Sequence, residues 1–169
     1  SFAILSHNSL IAARDPFGFR PLILGKRKHE EGESWVVASE TCAFDLIGAE
    51  YVREIEPGEI IKIDDKGLRS ETFDTRPKHA QCIFEHVYFS RPDSNVFGLN
   101  VYSTRKEMGK ALARENNIDA DLVIPVPDSG IPSALGFSEQ SKIPFELGII
   151  RNHYIGRTFI QPSQSIRSF

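Results

Sequence analysis

Leu122-Val123-Ile124-Pro125-Val126-Pro127-Asp128-Ser129-Gly130-Ile131-Pro132 is the stretch that decides how this chain folds. An apolar run comes first, then a turn of small and polar residues, then a proline where a helix can accept one in its first turn. The order reads as strand, turn, helix. The flanking sequence continues the alternation. Upstream, 101–115 carries Val101, Thr104, Met108, Ala111 and Leu112 on one stripe with charges elsewhere, the pattern of an amphipathic helix. Downstream, 132–141 reads as a second helix and 145–150 as a second apolar run. Helix, strand, helix, strand predicts a parallel α/β sheet with right-handed crossovers.

Residues 1–75 have another texture. Short strands are expected at 2–5, 10–13, 22–25, 35–39, 51–55, 59–64 and 68–73. Turn signals separate them: Asp15-Pro16-Phe17-Gly18, Glu30-Glu31-Gly32-Glu33, Pro57-Gly58 and Asp64-Asp65-Lys66-Gly67. Pro57-Gly58 fits a type II turn, because Gly58 can take positive φ. A short helix is expected to interrupt the strands, capped by Ser39, with Ala43, Phe44 and Ile47 on its apolar side. The polar, proline-containing segment Asp74-Thr75-Arg76-Pro77-Lys78-His79-Ala80 marks a domain boundary, giving domains 1–75 and 76–169.

Composition narrows the class. The chain has 169 residues, with 20 Lys and Arg against 23 Asp and Glu and a net charge of −3. A hydrophobic share of 40% and a charged share of 25% fit a globular chain and exclude a wholly disordered one. The near-neutral charge argues against a nucleic-acid module. No apolar run approaches the ~20 residues of a membrane helix. Two cysteines, Cys42 and Cys82, make no disulfide framework, and no signal peptide is visible, so the expected location is the cytoplasm. A start at Ser1 inside a strand-like run and a stop at Phe169 inside a polar stretch lead to the expectation that this is a fragment.

Three segments could carry chemistry. Asp128-Ser129-Gly130 sits where strands of open α/β sheets present ligands, and a Ser-Gly turn at a helix start can offer backbone N–H groups to an anion. The same residues also suit an ordinary helix cap. The stretch Arg151 to Pro162 has no sustained period and mixes cations with aromatics. It reads either as a solvated loop or as a phosphate-binding one in which Arg151 and Arg157 pair bidentately. Phe84 to Ser94 is too aromatic for a linker; Phe84, Tyr88 and Phe89 are expected in a core, with Arg91 and Asp93 orienting the segment. His7, His29, His79, His86 and His153 show no metal-ligand spacing.

Taken together, six motifs in order carry a resemblance: Ala13-Arg14-Asp15-Pro16-Phe17-Gly18-Phe19-Arg20-Pro21-Leu22, Val37-Ala38-Ser39-Glu40-Thr41, Glu56-Pro57-Gly58-Glu59, the 84–94 segment, Pro125 to Pro132, and the 151–162 segment. The chain resembles the glutamine phosphoribosylpyrophosphate (PRPP) amidotransferase family. The resemblance covers essentially the whole chain and is most specific in the last three motifs. It implies an α+β glutaminase portion of the N-terminal-nucleophile type, with antiparallel strands, over 1–75. An α/β type I phosphoribosyltransferase portion, with a parallel sheet, would follow over 76–169, both being incomplete. It implies the committed step of purine synthesis: glutamine, PRPP and water give 5-phosphoribosylamine, glutamate and pyrophosphate.

Neither cysteine matches the family's N-terminal glutaminase nucleophile, and none of the other glutaminase residues falls in this segment. The paired-Asp PRPP loop is also absent, so the isolated segment is expected to be inactive. By resemblance, Asp128, Ser129 and Gly130 match the pyrophosphate loop, with Ser129 contributing to a Mg²⁺ site. Arg151, Tyr154 and Arg157 match residues near PRPP in a flexible closing loop, and Ile160 one that lines the ammonia channel. Cys82 matches the first of four cysteines that hold a [4Fe–4S] cluster in one branch of the family. The implied partners are PRPP, glutamine, purine nucleotide feedback inhibitors and further copies of the chain in a tetramer, with no nucleic acid and no membrane. The competing reading is a non-catalytic phosphoribosyl-binding regulatory module, which residues 1–75 disfavour.

Overall fold

The computed structural model describes residues 1–74, 79–154, 156 and 162–167. They form two compact units, 1–107 and 108–169.

In the first unit, alternating apolar residues build two antiparallel sheets. Strands β1 (Phe2–Leu5), β2 (Leu10–Ala13), β6 (Glu59–Asp64) and β7 (Gly67–Thr72) pair in the order β1-β2-β6-β7. Strands β3 (Ile23–His29), β4 (Gly32–Ala38) and β5 (Ala49–Glu54) pair in the order β4-β3-β5. The β3–β4 and β6–β7 hairpins close on two-residue loops, Glu30-Glu31 and Asp65-Lys66, at the expected places. Ala12, Leu22, Leu24, Ile55 and Ile61 make the core, drawn from both sheets, with Trp35 and Val37 packed against it. The seven expected strands are all present, though β3 runs on to His29.

The helix α1 (Cys42–Ile47) also forms, but Ser39 does not cap it. Thr41 occupies the cap position without a side-chain bond to the helix, because its hydroxyl accepts from Asn95 N–H at 2.9 Å. Phe44 is buried, whereas Ile47 is exposed. At the 56–59 turn Glu59 N–H donates to Glu56 O at 3.0 Å and Gly58 has φ +76°, the type II geometry. Glycine is required there twice over, since a Cβ would meet Asp74 O at 2.3 Å.

Residues 79–100 fold onto this unit. Ala80 and Cys82 donate N–H bonds to Phe17 O and Phe19 O at 2.8 and 3.0 Å. A π-helical turn over Glu85–Phe89 follows, then a two-stranded ribbon of β8 (Asn95–Val96) and β9 (Leu99–Asn100). The expected core role of the aromatics is corrected here. Phe84, Tyr88 and Phe89 are about half exposed, and the buried residues are Glu85 and His86. Glu85 is drawn inward by Arg20, whose Nε lies 2.7 Å from its carboxylate, and by Ser90 Oγ at 2.9 Å.

Helix α2 (Val101–Glu115) occupies the expected span and has residues in both units. In the second unit α3 (Ile131–Ser141) follows, and the chain ends its described part in the short α4 (Gln164–Arg167). Gly109 of α2 and Ser133 of α3 approach so closely that a Cβ on Gly109 would lie 1.9 Å from Ser133 O. The expected parallel sheet is represented, among the described residues, by a single parallel bridge between Val123 and Phe145. Val123 N–H donates to Pro144 O at 2.8 Å and Glu146 N–H to Val123 O at 3.1 Å. The next residue along 122–126 that would donate to the same neighbour is Pro125, which has no N–H, so the ladder cannot lengthen there. No helix among the described residues is long and apolar enough to cross a membrane.

Candidate functional site

After the Val123 bridge, buried Pro125 fixes the chain and Val126 begins the turn. Gly130 N–H donates to Val126 O at 3.1 Å, and Ile131 N–H to Asp128 O at 3.3 Å. Two N–H groups that a Ser-Gly turn could offer an anion are therefore used by the turn itself. Gly130 has its own reason to be glycine: a Cβ there would stand 2.5 Å from Val126 O. The peptide between Pro127 and Asp128 is cis.

The turn presents Asp128 to solvent and leaves Ser129 half-buried at the start of α3. Among the described residues the Ser129 hydroxyl has no hydrogen-bond partner. α3 starts without a side-chain cap, so no carboxylate or hydroxyl of the turn is committed to the helix end. Arg151, 23 residues downstream, returns to the turn and places Nη1 3.4 Å from Asp128 Oδ2. Both side chains are more than half exposed. The result is a small polar cluster of one carboxylate, one hydroxyl and one guanidinium at the start of an 11-residue helix. Such a set can orient a phosphorylated ligand.

The other predicted site residues fall elsewhere. Tyr154 is fully exposed; its N–H donates to Asn152 Oδ1 at 3.0 Å, so a local turn holds the backbone and leaves the ring free. Arg157 and Ile160 lie outside the described residues. Cys82 belongs to the first unit, where its thiol is free and partly exposed. Cys42 is free too, and burial pushes its thiol pKa up. No group of three or more His, Cys, Asp or Glu among the described residues is placed to hold a metal ion. The second unit also has an apolar cavity of about 360 Å³ between the α2 and α3 side chains Leu112 and Phe137 and the residues Ile118, Leu122, Ile124 and Ile143. Its lining carries no titratable side chain, which separates it from the polar turn.

Sequence reading missed a set of buried charges in the first unit. Arg14 donates to Glu54 Oε2 at 3.0 Å, Ile55 O at 2.7 Å and Arg20 O at 3.2 Å. Glu59 accepts both guanidinium arms of Arg53 at 2.8 and 2.6 Å and the Glu56 N–H at 2.7 Å. Burial pushes the Glu59 carboxyl up, but these donors together with Ser70 outweigh it and hold the group below the usual carboxylate range. The signal available was the company these residues keep, in Arg14-Asp15-Pro16 and Pro57-Gly58-Glu59, where turn residues bring a charge to a strand end.

No family model matches the chain. Individual proteins do. Amidophosphoribosyltransferase of Bacillus subtilis (strain 168) is 52% identical over 167 residues, which is 99% of this chain and 34% of that protein. A solved structure of the allosteric regulatory enzyme of purine biosynthesis superposes with a TM-score of 0.85 at 51% identity, over 98% of this chain and 35% of the other. The B. subtilis glutamine PRPP amidotransferase, solved as a complex with ADP and GMP, gives a TM-score of 0.83 at 51% identity, over 98% and 36%. The fold is thus that of a segment of a purine-synthesis amidotransferase. Over its whole length the chain is similar to amidophosphoribosyltransferases, and it spans about a third of the length of the curated relatives it matches.

Proposed function

We propose that the whole protein is an amidophosphoribosyltransferase. It would release ammonia from glutamine in one domain and join it to C1 of PRPP in another, yielding 5-phosphoribosylamine, glutamate and pyrophosphate. In this reading residues 1–75 close the glutaminase domain and 76–169 open the phosphoribosyltransferase domain. The compact first unit reaches beyond residue 75 because 80–95 is hydrogen-bonded to it. The observation that carries the proposal is the strand–turn–helix of 123–141, at whose turn Asp128 and Arg151 pair beside the half-buried Ser129.

As the C1–O bond of PRPP breaks, negative charge builds on pyrophosphate. Arg151 is placed to meet that charge, and the Ser129 hydroxyl to donate to a phosphate oxygen. Asp128 keeps Arg151 at the turn until the ligand competes for it. Tyr154, with Arg157 and Ile160 by family resemblance, belongs to the segment that would close over PRPP and keep water from competing with ammonia.

The oxygen donors of Asp128 and Ser129 suit Mg²⁺, which takes much of its coordination from substrate phosphates and water. When bound, Mg²⁺ neutralises the charge of the pyrophosphate group. The cysteines do not fit an iron–sulfur cluster by themselves, since four thiolates are needed and Cys42 is buried with its Sγ 3.7 Å from Glu40 Oε2. Cys82 could serve only with ligands from the rest of the protein. Purine nucleotides as feedback inhibitors, assembly with further copies and a reducing, cytoplasmic setting for the two thiols complete the reading.

Ser129→Ala in the full-length enzyme tests it. With ammonia as nitrogen donor, the KM for PRPP is expected to rise about tenfold, the effect of losing one hydrogen bond to a charged group. An unchanged KM refutes the assignment of this turn to pyrophosphate. Gly130 is unsuited to the test, because any side chain there collides with Val126 O.

A further inference from the structure

Glu40 lies two residues past the end of β4 and is half-buried. One oxygen, Oε2, accepts the backbone N–H of Arg91 at 2.7 Å and the hydroxyl of Ser94 at 2.8 Å. Beside it, Thr41 Oγ1 accepts Asn95 N–H at 2.9 Å. Ser94 is fully buried, and its N–H returns to Arg91 O at 3.1 Å. The 91–95 turn is therefore clasped by two consecutive residues that lie more than 50 positions earlier. Arg91 and Asp93, which pair at 3.0 and 2.9 Å, brace its outer side.

What this turn does next is specific. The first N–H groups of a helix have no partner within the helix and must find one outside. In α2, Val101 N–H donates to Ser94 O and Tyr102 N–H to Pro92 O, both at 3.0 Å. Ser103 N–H takes Asn100 Oδ1 at 3.0 Å. Two of the three caps are thus carbonyls of the turn that Glu40 holds. The bonds form an unbroken series from the end of β4 through Glu40, the 91–95 turn and the first turn of α2. The helix then continues to Glu115, and its residues from Met108 onward belong to the second unit.

We propose that Glu40 is a positioning residue that couples glutamine use to PRPP chemistry by fixing the start of α2. The inference rests on the amidotransferase reading above. Glu40 touches no substrate in this role. Its oxygen sets where a helix begins, and that helix has residues in both units.

The test is the ratio of glutamine-dependent to ammonia-dependent phosphoribosylamine formation in the full-length enzyme. Glu40→Ala removes the acceptor. The ratio is expected to fall about fivefold or more, the lower end of the range for coupling between two sites, while ammonia-dependent turnover stays near wild type. Glu40→Gln keeps an oxygen able to accept from both Arg91 N–H and Ser94 Oγ, and is expected to restore the ratio. Equal loss with both donors in Glu40→Ala, or a ratio that Glu40→Gln leaves as low as Glu40→Ala does, overturns the proposal. Should Glu40→Ala not fold, Ser94→Ala decides, because it deletes only one of the two donors. A ratio lowered about twofold supports the coupling, a partial loss because Arg91 N–H still holds Glu40 Oε2, and an unchanged ratio overturns it. Absence of ammonia-dependent activity in the wild type itself is a different failure, that of the amidotransferase reading.

Discussion

The two units spend their charged residues in opposite ways. In the first, Arg14, Glu59, Glu85 and Arg105 are almost wholly buried, and each is held by hydrogen-bond or ion-pair partners. In the second, Asp128 and Arg151 meet only each other among the described residues and face solvent. A buried charge must be matched by its surroundings or it destabilises the fold. An exposed pair contributes little to stability and remains available to a ligand. The motif charges of the first unit are thus part of its framework, and the pair in the second is left open to solvent.

The sharpest way to break this comparison is at Arg14. Its guanidinium joins Glu54 and two carbonyls across the strand ends. Arg14→Ala is expected to destabilise the first unit by about 3 kcal/mol, as when one partner of a buried pair is removed. Urea denaturation followed by fluorescence of Trp35, the chain's single tryptophan and a core neighbour, reads this directly. Arg14→Lys is expected to recover little, because an ammonium cannot span three acceptors in different directions.

His86 offers a smaller and pH-dependent effect. Burial lowers its pKa, and the nearby Arg105 charge lowers it further, against a pull upward from Glu85. The folded unit therefore takes up the proton less readily than the unfolded chain, whose histidine titrates near about 6.5. Stability is complete above that pH and falls as the pH drops through and below it, by no more than about 1.4 kcal/mol per pH unit for one proton. The urea midpoint from pH 7.5 to 5 is expected to show this slope, and His86→Gln to flatten it. A slope that survives the substitution would move the titrating group elsewhere in the molecule.

Much of the first unit was legible because its signals are local. Period-two alternation and the Pro57-Gly58 and Asp64-to-Gly67 turns need only near neighbours, and β1, β2 and β6 begin and end where the pattern says. The helical stripe from Val101 to Leu112 is equally local, although Leu112 itself is exposed. Arg105 was illegible for the opposite reason. It sits among the charges of α2 and looks solvated, yet it donates to His86 O and to Ser90 O, 19 and 15 residues away. The same holds for Glu40, whose partners are 51 and 54 positions distant. The 122–126 run was legible as apolar, but its prolines, which limit the ladder to one bridge, weigh on pairing rather than on hydropathy. Within the site, Asp128 and Ser129 could be read as a turn before a helix, whereas the return of Arg151 to that turn depends on the path of the intervening chain.

Arg151 gives the smallest stability effect and the most discriminating one. Its pair with Asp128 spans 3.4 Å between two exposed side chains, so solvent already screens it. Arg151→Ala is expected to leave the urea midpoint of the chain where it is. In the full-length enzyme the same change is expected to raise the KM for PRPP about tenfold, since a guanidinium hydrogen-bonded to phosphate is worth more than one facing water. Arg14→Ala should do the reverse, lowering stability at once while leaving PRPP affinity unchanged in whatever fraction stays folded. If Arg151→Ala instead moves the midpoint and spares PRPP, the second unit uses its exposed pair as framework, and the contrast between the units collapses at the residue meant to define it.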